Sequence, residues 1–151
     1  MNTLQARKIL SGPIQVRVEN AIKNAEKTTS AEIRLFAEDR CREEVLDHAA
    51  FIFGKLKMHE TKDRNGILIY IAFADKKLAV IGDAGINAHV QPAFWDDLVK
   101  ECLQSFKKGD YASGIETLVD SIGKTIQIFF PRHSDDVNEL SDTIDFGGED
   151  V

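Results

Sequence analysis

The chain is short of the residues that mark specialised surfaces. It has two cysteines, Cys41 and Cys102, in 151 residues. Two are too few for a disulfide framework and lack zinc-ligand spacing, so both are expected as reduced, non-catalytic thiols. No stretch approaches the ~20 apolar residues that span a bilayer. The first ten residues hold no apolar run of signal-peptide length. A soluble, cytoplasmic domain without membrane contact is the expectation. A basic excess is missing too. The formal charge is -6, and all of it lies in residues 132–151, where seven carboxylates face Arg132 alone. The preceding 131 residues balance, leaving no basic footprint for phosphate backbones, which argues against nucleic acid as a partner.

Residues 1–131 read as one domain, because a chain of this length can bury roughly two-thirds of its unfolded surface. Residues 132–151 read as an acidic tail, solvated or disordered in part. The apolar Val137, Leu140, Ile144 and Phe146 give part of it the means to dock.

After Pro13, apolar Ile14, Val18, Ala21, Ile22 and Ala25 fall on one helical face, predicting a helix that ends near Thr28. Residues 31–37 alternate as a strand does. Val45, Ala49, Ile52, Phe53 and Leu56 return to helical spacing over 43–58. The run 66–73 is continuously apolar and rich in β-formers, as a strand buried on both faces must be. Ala74, Asp75 and Lys76 turn the chain into a strand over 77–81, making a hairpin. The Gly82-Asp83-Ala84-Gly85 break precedes a helix over 91–107. A last helix runs from Tyr111 to Phe130 and stops at Pro131, with the Asp110 carboxylate as its cap.

The order α-β-α-β-β-α-α, with so apolar a central strand, predicts a three-layer α-β-α sandwich on a small mixed sheet. The helical crossover makes the first two strands parallel; the hairpin makes the third antiparallel. That polarity brings Asp63, Asn65 and Asp83 to one edge of the sheet. Ser30, Glu32 and Asn87 approach the same edge, and backbone carbonyls of 82–87 can join them. Oxygen donors from two loops suit a hard cation, about six to eight oxygens for calcium and about six for magnesium. Turn formation explains the same residues, since Asp and Asn side chains bond nearby backbone and glycine supplies positive φ. An EF-hand is excluded, because Asp63-Arg64-Asn65-Gly66 matches only a fragment of its loop and lacks the closing glutamate.

Elsewhere the chemistry is sparse. Phe94 and Trp95 lie on an amphipathic helix as packing residues. His48, His59, His89 and His133 have no metal-helix spacing and no neighbouring nucleophile, and are expected to be solvent-facing or structural. Neither cysteine has the spacer and arginine of a cysteine phosphatase, and no Asp-x-Asp nucleophile motif occurs.

The segments Ala25-Glu-Lys-Thr-Thr-Ser-Ala-Glu32-Ile33, Arg64-Asn-Gly-Ile-Leu-Ile-Tyr70, Asp75 with the strand into Gly82-Asp83-Ala-Gly85-Ile86, and Phe106-Lys-Lys-Gly-Asp-Tyr-Ala-Ser-Gly-Ile115 resemble the TPM domain family, in the family's order, over about 16–131. The resemblance implies an α-β-α sandwich with a divalent metal, often calcium, at crossing loops beside the sheet. It also implies an acid phosphatase activity of the kind proposed for thylakoid members. Many relatives carry a signal peptide and a membrane helix beside the domain. This chain reads as a stand-alone domain. By matching position, Asn65 and Asp83 are the expected metal contacts, followed by Asp63, Glu32 and Asn87.

Three functions follow as expectations: a calcium-responsive regulatory domain with metal between loops 59–65 and 82–87, a metal-dependent phosphatase, and a protein-interaction module using the acidic tail or the Phe94-Trp95 helix.

Overall fold

A computed structural model describes residues 2–133 and 143–147. Helices α1 (Leu4–Ile9) and α2 (Gly12–Glu26) lead into strand β1 (Glu32–Glu38). Helix α3 (Val45–Lys55) crosses to β2 (Gly66–Ala72), which turns into β3 (Lys77–Gly82). Then come α4 (Ala84–Asn87), α5 (Pro92–Lys107), α6 (Tyr111–Ile126) and the two-residue strand β4 (Asp145–Phe146). The sheet order is β3-β2-β1-β4. As strand polarity predicts, β1 and β2 are parallel and β2 and β3 antiparallel.

The central strand dictates the layering. Every residue of β2 is buried, and because successive side chains point to opposite faces, each face needs a cover. Ile67, Ile69 and Ile71 join Ile33, Leu35 and Val80 in a large core beneath α2, α5 and α6. Leu68, Tyr70 and Ala72 join Phe36, Ala49, Ile52 and Met58 in a smaller core under α3. Each isoleucine so buried is worth about 1.5–3 kcal/mol over exposure. Three layers result, as predicted. Trp95 is buried in the larger core with Phe94 packed against it.

Four features depart from the sequence reading. Helix α1 is additional: its own Thr3 makes no side-chain cap, and Asp39, beyond β1, instead accepts from the N–H groups of Ala6 (2.7 Å) and Gln5 (3.1 Å). The glycine break after β3 closes into the short α4. Helix α6 ends at Ile126, short of Phe130. Asp110 does not cap it; its backbone sits at φ -89°, ψ 63° rather than in the extended region a capping residue uses, and its side chain makes no cap hydrogen bond. Beyond α6, Asp145 and Phe146 pair with Phe36 and Ala37 of β1, and Ile144 is buried in the larger core. Val137 and Leu140 lie outside the described residues.

Both cysteines are free and buried; burial alone pushes the Cys102 thiol up to about 12. Among the described residues no helix is long and apolar enough to cross a membrane.

Candidate metal-binding loops at the sheet edge

Strand register builds the site. Glu32 pairs with Gly66 and Ile67 with Gly82, so the starts of β1 and β2 and the end of β3 share one edge. The Asp83 N–H donates to the Gly66 carbonyl (2.9 Å), and the Glu32 N–H to the Asn65 carbonyl (3.2 Å). Asn65 is buried; its Nδ2 donates to the Ser30 carbonyl (3.2 Å) and its N–H to Thr61 Oγ1 (3.2 Å). Ser30, Glu32, Asn65 and Asp83 therefore meet as expected.

Helix α4 is pressed onto the 63–65 turn. The Gly85 N–H donates to the Arg64 carbonyl (2.8 Å). A Cβ at Gly85 would stand 2.3 Å from the Asp63 carbonyl oxygen and 2.7 Å from that of Arg64. Two backbone carbonyls thus converge where only glycine fits. Arg64 holds its place in the left-handed region, φ 51°, a conformation that costs a residue with a Cβ roughly 1–2 kcal/mol.

Arg64 is the member that sequence reasoning missed. Its guanidinium meets the Asp83 carboxylate in a two-pronged pair, Nε to Oδ2 at 2.7 Å and Nη2 to Oδ1 at 2.8 Å. Oδ1 also accepts from the Ala84 N–H at 2.7 Å, capping α4. Burial by itself drives the Asp83 carboxyl upward. The Arg64 and Ala84 hydrogen bonds, with the charges of Arg64 and His59, more than reverse it and leave Asp83 below the ordinary carboxylate range. The signal was in the sequence: a lone arginine between two candidate ligands, Asp63 and Asn65.

The remaining predicted residues contribute unevenly. Asp63 is exposed and supplies its carbonyl to the crowded turn. Glu32 is buried at the head of β1. Asn87 donates its amide to the Gly82 carbonyl (3.0 Å), tying α4 back to the strand. Among the described residues no three histidine, cysteine or acidic side chains gather closely enough to hold a metal. The Asp83 carboxylate at this edge is paired with Arg64, and the Arg64 and Asn65 carbonyls accept from the Gly85 and Glu32 N–H groups; the residue types gathered here are oxygen donors, the kind a hard cation takes.

A second polar cluster lies at the far end of β1. Glu38 is only 2% exposed. Its Oε2 accepts from the Tyr70 hydroxyl and meets His48 Nε2 at 2.9 Å; its Oε1 accepts from Asn2 Nδ2 at 2.9 Å. His48 Nδ1 meets Glu43 Oε1 at 2.5 Å. His48 is thus one of the structural histidines, held between two carboxylates. Burial, then the Glu38 contact and the nearby Cys41, raise the Tyr70 phenol far above its ordinary value.

A mixed sheet covered on both faces, with paired loops at one edge, defines a compact α-β-α domain class. The TPM domain model matches residues 4–125, and the chain belongs to the TPM domain family. It is similar to the BA42 protein of the psychrophilic bacterium Bizionia argentinensis, with 37% identity, 91% of this chain and 94% of that one covered, and a TM-score of 0.84. The N-terminal domain of a P. gingivalis protein shares the fold at 15% identity, covering 82% of each chain with a TM-score of 0.68. So does the N-terminal domain of the cg2496 protein of Corynebacterium glutamicum, at 12% identity, 87% and 76% coverage and a TM-score of 0.58. No curated protein matches.

Proposed function

We propose that the chain is a divalent-cation-responsive regulatory domain that takes calcium in preference to magnesium between loops 59–65 and 82–87. Asp83 and Asn65 are the principal side-chain donors, with Asp63 beside them and Glu32 and Asn87 completing the shell. The observation that carries the reading is the Arg64–Asp83 pair. Asp83 is 6% exposed at its side chain and Arg64 53%. A buried carboxylate needs a positive partner, and here that partner reaches in from solvent. A cation can take its place while Arg64 swings outward, with no repacking of the core. Irregular donors drawn from two loops fit the flexible shell of calcium better than the near-octahedral one of magnesium.

Binding only to the folded form stabilises it by RT ln(1 + [L]/Kd), about 2.7 kcal/mol at a hundredfold excess over Kd. In this reading the cation stiffens the two loops, and the domain works in the cytoplasm, where Cys41 and Cys102 stay reduced.

The test is a thermal melt of chelator-stripped protein with and without calcium. The wild type should melt higher with calcium, Asp83→Asn should lose the shift, and Arg64→Ala should enlarge it because its competitor for Asp83 is gone. A calcium-insensitive melt in the wild type and in Arg64→Ala would end the proposal.

A further inference from the structure

At the opposite end of β2 from the cation loops, ~20 Å away at the rise of a strand, the hairpin turn and the α5–α6 corner enclose a cleft of about 500 Å³. That is the size of a small-molecule site. Its walls are aromatic. Phe73 and Phe106 lie nearly parallel with ring centres 5.6 Å apart, and Tyr111 stands edge-on to Phe73 at 5.6 Å and 5.1 Å from Phe106. Leu103 and Gln104 complete them.

The rim is basic, on a body whose 131 residues before the acidic tail carry no net charge. Lys76, Lys100 and Lys107 line the opening and no acidic residue does. All three lysines are exposed, and among the described residues their side chains enter no ion pair or hydrogen bond. Nearby Asp75 is turned away, its carboxylate held by Arg40 Nη1 at 3.0 Å and the Cys41 N–H at 2.8 Å. Three ammonium groups beside an aromatic cluster, with no carboxylate in the lining, offer complementary charge to one kind of ligand.

We infer that this cleft binds a small aromatic phosphate, a planar ring lying against the packed cluster of Phe73, Phe106 and Tyr111 while its phosphate meets Lys76, Lys100 and Lys107. Lysine suits phosphate as a mobile point charge, and a planar ring gains from stacked or edge-to-face contact with the walls. The inference is independent of the cation site, which uses the other end of the sheet.

The test is a titration of the isotope-labelled full chain with adenosine monophosphate, followed by amide chemical shifts. Saturable shifts centred on Phe73, Lys76, Gln104, Lys107 and Tyr111 are expected. Adenosine and inorganic phosphate should each bind more weakly than the nucleotide. Lys100→Glu with Lys107→Glu, both at exposed positions, should weaken binding by about tenfold or more with the remaining spectrum unchanged. No saturable shift at millimolar nucleotide, shifts centred elsewhere, inorganic phosphate binding as well as the nucleotide, or affinity indifferent to the charge reversal would each overturn the assignment.

Discussion

The two ends of β1 solve the same problem, a carboxylate taken out of water, in opposite ways. At the far end, Glu38 is enclosed by Tyr70, His48 and Asn2, donors fixed by the strand, by α3 and by the chain before α1. At the near edge, Asp83 is matched by one half-exposed guanidinium and one backbone N–H. Donors held by packing cannot leave without unfolding something. A side chain reaching in from solvent can. The far end is framework, and the near edge is where the proposed function puts its exchangeable ligand.

If that contrast is sound, the largest loss belongs to Glu38. Replacing it with alanine strands the Tyr70 hydroxyl, the Asn2 amide and His48, and should cost about 3–5 kcal/mol by denaturant unfolding. Glu38→Gln keeps an acceptor and should cost less. Gly85→Ala comes next. Its new methyl meets two backbone carbonyls that cannot rotate away, so a loss of about 1–3 kcal/mol is expected, with amide shifts confined to 63–65 and 82–87.

Smaller effects separate the two ends by pH. Tyr70 has a folded pKa raised above its unfolded value, so its neutral form contributes stability that is complete below about pH 10 and declines as pH climbs beyond it. Tyr70→Phe should cost about 1 kcal/mol near neutrality and flatten that alkaline decline. Asp83 has a folded pKa below its unfolded value, so its contribution is present above the ordinary carboxylate range and is lost as pH falls through the folded value. Asp83→Ala should remove this acid-side dependence and cost about 1 kcal/mol at neutral pH, mostly the lost cap on α4, because pairing with a half-exposed partner is screened. An Asp83 variant as costly as Glu38→Ala would erase the distinction.

Much of this fold is written locally, and what was missed is written at a distance. The apolar run of β2 and the stripe of α6 announce themselves through periodicity, and strand polarity placed Asn65 beside Asp83. Helix α1 could not be read that way, since Asp39, the residue after β1 and 33 positions along the chain from Ala6, satisfies its first N–H groups. Strand β4 is two residues long, secured by the Arg34–Asp145 pair and by the Gly147 N–H on the Ala37 carbonyl (2.9 Å). No periodicity exists in two residues. Phe129 and Phe130 continue the helical stripe of α6 but are used otherwise: both ring against His89, at 4.7 and 5.7 Å, and the Phe130 carbonyl accepts from the Ser30 N–H (2.9 Å). The spacing of Asp63, Asn65 and Asp83 points to oxygen donors, and gives no role to Arg64 between them, whose guanidinium pairs with Asp83.

The most direct measurement is calcium titration of the labelled protein by amide chemical shifts, in the wild type and in Arg64→Ala. Saturable shifts at 63–65 and 82–87, none at Glu38, His48 or Tyr70, and tighter binding without Arg64 are predicted. Shifts centred on the Glu38 end, or an affinity unchanged by removing Arg64, would contradict the account.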